Sequence, residues 1–434
     1  MLHHILKLIF RNLLRFKTTF FINLTGLSSG LACAFLIYLW ISDELNFDKF
    51  HKNDPTLFQV MENQITSSGI VTREATPIGM SYVLGETMPE VEYAATVTPM
   101  AWFPKLIIEH EGTRIKNEGK FVGKDFFQIF SFDLAYGNSD LAFQDVNSIV
   151  ISEDLARSLF GSIVNAGGKT IPWMLGDIER ESVVTAVFKS LPSNSSEQFD
   201  LLLNIDLLGQ IMNFSKDDLM SLGPSTFLML KPGTDIKSFN SKVTQMMANR
   251  TGNNQSEYFV TKYSDKYLHG EFENGIQTGG RIEYVRLFAL IGLIILLVGC
   301  INFMNLATAK ASRRIKDVGI KKVMGAWRRN LVVEYLGESI LISFFSLGVS
   351  LVLVAILLPS FNDITGKQLG LNFSSGSLTV FFIATFVTGI VAGSYPALYL
   401  SGFNPAAVLR GKLKSSLGEI WTRKGWSFFS LPYP

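Results

Sequence analysis

Four windows of this chain are almost free of charge, and each could cross a bilayer core as a helix, which takes roughly 20 residues. They are Phe20–Ile41 (FFINLTGLSSGLACAFLIYLWI), Leu287–Ala307 (LFALIGLIILLVGCINFMNLA), Ser339–Leu358 (SILISFFSLGVSLVLVAILL) and Leu378–Leu400 (LTVFFIATFVTGIVAGSYPALYL). Four such runs do not fit the core of a soluble domain. The first is longer than the roughly 7–15 residues of a signal-peptide core, and no A-x-A-like site follows it, so it reads as a retained anchor.

Between the first two windows the pattern changes. Residues 42–284 carry short β-branched runs such as SIVIS (Ser148–Ser152), ESVVTAVF (Glu181–Phe188) and TFLMLK (Thr226–Lys231), bounded by turn formers. Such runs predict strands. In SEDLARSLFG, Ser152 is placed to cap a helix and Gly161 to end it, and Thr234–Arg250 predicts a second helix. Pro192–Gln198 (PSNSSEQ) predicts a loop, and GEFENGIQTGGRIEYV a flexible approach leading into a helix continuous with the second span. The fold expected is a membrane protein: four transmembrane α-helices, with a large mixed α/β extracytoplasmic domain inserted between helices 1 and 2. Residues 1–19 form a basic N-terminus, 308–335 a connector and 401–434 a tail.

Composition agrees. Of 434 residues 47% are hydrophobic and only 18% charged, where a soluble protein usually carries about 25% charged residues. The net charge of +2 hides a separation: the N-terminus, connector and tail hold 4, 8 and 5 basic residues against 3 acids in all, whereas 42–284 holds 20 basic and 32 acidic. Lys and Arg gather on the cytoplasmic side of spans. Both termini and the connector are therefore expected inside, and 42–284 outside. Cys33 and Cys300 lie within spans one and two, leaving the outer domain no disulfide, and a domain of this length can bury enough apolar surface without one.

Enzyme chemistry finds no support. GSIVNAGGKT (Gly161–Thr170) resembles a phosphate loop but has Ile163 where its first glycine belongs. His3, His4, His51, His110 and His269 are dispersed without partners at metal-ligand spacing. Asp43, Glu44 and Asp48 read as a solvated acidic collar. No cofactor, metal site, catalytic residue or nucleic-acid partner is expected. Within the spans, Gly26 and Gly30 have the small-xxx-small spacing of a helix-packing seam. Glu334 and Glu338 stand at the entry to span three, suited to pairing with nearby arginines, and no polar lining is read along the spans.

The connector includes RRIKDVGIKKVMGAWRRN, Arg313–Asn330. At about 100° per residue, Ile320, Val323, Met324, Trp327 and Leu331 share one face, and Lys321, Lys322, Arg328 and Arg329 another. Ile315 and Val318 fall elsewhere, which predicts an interruption at Gly319. A glycine at 325 suggests a kink or a close backbone approach. Two occupants fit this face: anionic lipid, or a groove on a soluble protein.

ASRRIKDVGIKKVMGAWRRNLVVEYLGESILIS resembles the corresponding segment of FtsX-like, MacB-type ABC transporter permeases, approximately R-x-x-E-[IV]-G-[IV]-[RK]-[RK]-x-x-G-A. INFMNLATAK, NPAAVLRG and, in the outer domain, DFFQIFSFDLAYG, VISEDLARSLFG and LPSNSSEQFD occur in that family's order. The resemblance implies a MacB-like periplasmic core domain and an inner-membrane permease working with a separate cytosolic ABC ATPase, itself without ATPase activity. Asp317, Val318, Gly319, Ile320, Lys321, Lys322, Gly325 and Ala326 would form the helix that meets the ATPase, Asp317 standing where glutamate is commoner. ATP-driven closure would then move the outer domain, in export of a macrolide, peptide or lipoprotein or in other extracytoplasmic work. An FtsX-like scaffold controlling a cell-wall hydrolase is the alternative, and a plain membrane-anchored binding module a third. The resemblance also implies a dimer of halves or a second permease half, and a periplasmic adaptor or outer-membrane partner. Related permeases continue into a second four-span half, so this chain is expected to be an N-terminal half.

Overall fold

In Ser42–Arg286, one of two compact units of the chain, β-branched and aromatic runs build a large mixed sheet. The structure, a computed structural model, describes residues 17–103, 106–110, 112–371 and 375–402. Residues 1–16 of the basic N-terminus and the tail from 403, with NPAAVLRG, lie outside the described residues.

The sheet order is Ser256–Lys262, Leu57–Thr66, Ser225–Leu230, Val91–Val97, Gly119–Val122, Leu201–Asn204, Ser148–Ser152, Ile178–Phe188, Thr170–Leu175, Leu106–His110 and Thr113–Asn117. The central strands are buried on both faces and so read as unbroken apolar runs. In SIVIS, Val150 enters a phenylalanine-rich cluster with Phe126, Phe130 and Phe188. Its neighbours Ile149 and Ile151 point the other way, to a cluster around Phe121 and Trp173, as the two-residue period of a strand requires. This strand runs parallel to Ile178–Phe188 and antiparallel to Leu201–Asn204.

Local signals act as read. The Ser152 hydroxyl accepts from Leu155 N at 3.2 Å, and Gly161 ends helix Glu153–Phe160 at φ +73°. The second predicted helix is Ile236–Thr251, capped by Asp235. It covers the edge of Ser256–Lys262: Tyr258 N donates to Thr244 Oγ1 (2.9 Å) and Val260 N to Asn240 Oδ1 (3.1 Å), closing an edge that would otherwise invite another strand. The expected flexible approach is instead a hairpin, Glu271–Glu273 with Ile276–Gly279. Asn274 (φ +49°) and Gly275 (φ +81°) form its tip, because Asn-Gly suits the positive φ values of a type I′ turn.

The other unit holds the spans. Helices Lys17–Leu45, Ile282–Val323, Arg328–Thr365 and Ser375–Gly402 each contain a stretch long and apolar enough to cross a membrane. Leu27, Leu31, Phe35, Cys300, Phe303, Ile342 and Phe381 form their shared core.

Between the third and fourth helices lies a seam that the sequence reading missed. Ser339, Ser343, Ser346, Ser350, Thr385 and Thr388 are all buried, so these spans do carry buried polar groups. Three of the hydroxyls donate back to their own helix: Ser339 to Tyr335 O (3.1 Å), Ser343 to Ser339 O (3.0 Å) and Ser350 to Leu347 O (2.8 Å). Self-satisfied small residues let helices approach closely in lipid. A Cβ at Gly389 would lie 2.9 Å from Ile340 Cα, and one at Gly393 2.6 Å from Ser339 Cβ. Gly393→Val is expected to destabilise the pair by roughly 1–3 kcal/mol through overpacking, read as a lowered melting temperature in detergent. Gly348→Ala, where a Cβ meets nothing within 4 Å, should not lower it, since alanine is the better helix former.

Candidate functional site

The connector between the second and third spans is where the sequence placed the site. The second-span helix runs unbroken to Val323, so the interruption expected at Gly319 does not occur. One helical glycine costs only about 1 kcal/mol against alanine. Here Val318 and Gly319 are buried, and Val318 packs with Leu331, Tyr335, Ala397 and Leu400. That packing holds the helix through the weak point.

The break comes at Gly325, at φ +94°. Gly325 N donates to Lys322 O (3.0 Å) and Ala326 N to Lys321 O (2.9 Å), the paired bonds of a Schellman ending. Trp327 is extended and Arg328 opens the next helix. Arg313–Asn330 is therefore two helices joined by a tight turn, not one amphipathic helix.

This break redistributes the predicted faces. Leu331 is 1% exposed and belongs to the interior, while Ile320, Val323, Met324 and Trp327 are 52, 64, 82 and 79% exposed. Four large apolar side chains thus stand out around the turn. The lysines turn the other way. Lys321 Nζ pairs with both oxygens of Glu334, at 2.7 and 2.8 Å. Lys322 Nζ donates to Ser401 O at 2.7 Å and Arg328 Nε to Ser401 Oγ at 3.4 Å. Ser401 lies in the last turn of the fourth-span helix, where a cation complements the free carbonyls. These contacts tie the connector to both neighbouring spans. Ala326 is half-buried, and Asp317 falls in the helix among side chains outside the described set.

Gly26 and Gly30, on the first span, face the second. A Cβ at Gly26 would lie 2.8 Å from Asn302 Nδ2, and one at Gly30 3.8 Å from Gly299 Cα. Glu338, at the entry to span three, is buried.

The outer domain corrects another reading. Glu44 and Asp48 are 1% and 0% exposed, so they form no solvated collar; both carboxylates accept hydrogen bonds from neighbouring outer-domain side chains. Burial raises the Asp48 carboxyl to about 6 and lowers His51 to about 4. His51 is neutral at pH 7 and accepts from Ser131 N through Nδ1. Lys120 and Glu197 form a buried ion pair. Among the described residues no group of three or more His, Cys, Asp or Glu could hold a metal. No sequence signal linked Asp48 to its partners, which lie about 150 residues away. The Asn274-Gly275 hairpin was signalled and overlooked.

Two families match. The MacB-like periplasmic core domain matches residues 20–246 and the FtsX-like permease C-terminal domain residues 289–405. Among curated proteins, the macrolide export ATP-binding/permease protein MacB of Agrobacterium fabrum is 23% identical over 329 residues, 75% of this chain and 48% of that protein. The protein of that name from Escherichia coli K12 is 24% identical over 325 residues, 73% of this chain and 47% of its own. The chain thus spans about half the length of these relatives. Among solved structures, a permease domain from Porphyromonas gingivalis aligns at TM-score 0.39 and 21% identity, over 49% of this chain and 92% of that one. The periplasmic region of MacB from Actinobacillus actinomycetemcomitans aligns at 0.35 and 14%, over 49% and 90%.

Proposed function

The chain belongs to the FtsX/MacB-type permeases, and from that premise we propose that it is the membrane subunit of an ABC transporter whose ATPase is a separate cytosolic protein. The reading rests on the FtsX-like match to residues 289–405, which takes in the connector, and on the apolar surface the connector presents. Ile320, Val323, Met324 and Trp327 would enter a groove on the ATPase. Lys321 and Lys322 hold the turn against the third and fourth spans, so a push on the turn is delivered to helices rather than absorbed by a loose loop.

In this reading ATP-driven closure tilts the spans and moves the outer domain. Such movement asks for no cargo path between the spans, and three hydroxyls of the seam are directed to their own helix carbonyls. Export or other extracytoplasmic work would follow from that motion, with a dimer or second permease half completing the membrane part and an adaptor or outer-membrane protein its outer contacts.

The reading requires the connector inside an inner membrane and 42–284 outside. In a Cys33→Ser/Cys300→Ser background, Ala326→Cys should resist a membrane-impermeant maleimide in intact cells and react after permeabilisation. Lys189→Cys, at an exposed outer-domain site, should react in both once the outer envelope is opened. Labelling of position 326 in intact cells would end the proposal.

A further inference from the structure

The chain enters the outer domain through residues 42–56 and leaves it through residues 263–286, and both segments carry polar contacts that sheet formation does not need. Asp48 holds φ +59°, a left-handed conformation that non-glycine residues adopt rarely. Its carboxylate accepts from Ser196 N at 2.7 Å and Ser196 Oγ at 2.6 Å. Asp48 N donates to Asn194 O at 2.9 Å, and Asn194 Nδ2 to Asn46 O at 3.0 Å. Four hydrogen bonds thus hold the turn at 46–48 against the PSNSSEQ loop.

The leaving segment joins the same assembly. The Tyr263 hydroxyl lies 2.9 Å from Ser196 Oγ. The Tyr267 ring stacks on Phe47, with centroids 3.6 Å apart and planes 11° off parallel. Tyr267 OH donates to buried Glu44 at 3.1 Å and accepts from Arg281 Nη1 at 2.8 Å. The Arg281 guanidinium also covers that ring, 4.7 Å from its centroid.

Burying a carboxylate is unfavourable unless it is paired or hydrogen-bonded. Glu44 and Asp48 are both buried at the root of the domain, where neither forms part of the sheet or a metal site. What their bonds do share is direction: each joins the entering segment to another part of the domain.

We propose that Asp48 with Ser196, and Glu44 with Tyr267 and Arg281, form a latch that binds the entering segment to the PSNSSEQ loop and to the leaving segment, so that the two connections move as one body. The idea builds on the mechanical reading above: two independent connections would let a displacement of one span dissipate in its own linker. It also gives LPSNSSEQFD a task, holding a linker rather than a ligand.

The test uses the full chain in lipid nanodiscs, in the Cys33→Ser/Cys300→Ser background, with spin labels at Leu45→Cys and Glu283→Cys. Both positions are exposed. Pulsed dipolar spectroscopy should give one narrow distance distribution. Ser196→Ala/Tyr267→Phe, which keeps the aromatic stack, should broaden it about twofold or more, and Ser196→Thr, which keeps the hydroxyl, should not. Hydrogen exchange at Ile149–Ile151 in the central strand should be the same in all forms. An unchanged width in the double variant would overturn the latch. So would broadening accompanied by lost protection in that strand, since the contacts would then merely stabilise the domain. No ATPase takes part, so a failure to capture the ATPase leaves this result standing.

Discussion

Trp327→Glu is expected to abolish capture of the partner ATPase while leaving the chain folded in the membrane. The side chain is 79% exposed, and substitutions at such positions usually change stability by no more than about 0.5 kcal/mol. In an interface it would be the anchor: aromatic residues at the centre of a contact lose about 2–4 kcal/mol on truncation, roughly 30- to 1000-fold in affinity. A buried, unpaired glutamate would add to that loss. Met324, 82% exposed beside it, should lose less as Met324→Ala, since a flexible side chain adapts to imperfect contact.

Lys321→Met should behave differently. It removes the pair with Glu334 and loosens the connector, so capture should fall modestly while coupling of hydrolysis to movement of the spans falls more. Co-purification and ATPase stimulation with the three variants would separate anchor from brace. Equal recovery of ATPase by wild type and Trp327→Glu would leave the exposed face to lipid.

Lys120→Met is expected to destabilise the outer domain by about 3–5 kcal/mol, the cost of leaving one buried charge without its partner. Lys120 and Glu197 have side chains only 8 and 9% exposed. Glu197 is further held by neighbouring Ser195: its N–H donates to Ser195 Oγ at 3.3 Å and its carbonyl accepts from that hydroxyl at 3.1 Å. The orphaned carboxylate could not turn to water without dragging this loop, and with it Ser196. For a domain of this size 1 kcal/mol moves the midpoint by about 2–4 °C, so a drop of roughly 6–20 °C is expected in the domain's thermal transition, followed in the full chain in detergent. Lys120→Met/Glu197→Leu should recover most of it, because a buried pair can often be exchanged for apolar residues at little cost. A double variant no more stable than Lys120→Met would mean that the pair contributes through shape rather than charge.

Apolar run length and period, charge placement and cap chemistry act locally, and they located the four spans, the inserted α/β domain and helix Glu153–Phe160 with its Ser152 and Gly161 ends. The connector shows where local reading stops. Glycines at 319 and 325 carry the same intrinsic penalty, but only Gly325 sits where no packing opposes the break and the Schellman bonds reward it. Gly319 is held by Val318 and its neighbours on the third and fourth helices, residues distant in sequence. The charges divide in the same way. Lysine and arginine counts pointed to an expected sidedness, whereas which basic side chains fold back on the protein depended on Glu334 and Ser401.

By itself, then, the sequence determined how many helices are apolar enough to span, what lies between them and which family they join, because those properties belong to single segments. Only the tertiary structure decided that Asp48 and Glu44 are buried, that serines of span three are buried on one helix, and that the connector exposes its tryptophan while its lysines turn to Glu334 and Ser401. Each of these depends on which distant backbone or side chain comes within about 3 Å, the hydrogen-bonding range, and no periodicity along one strand or helix encodes that meeting.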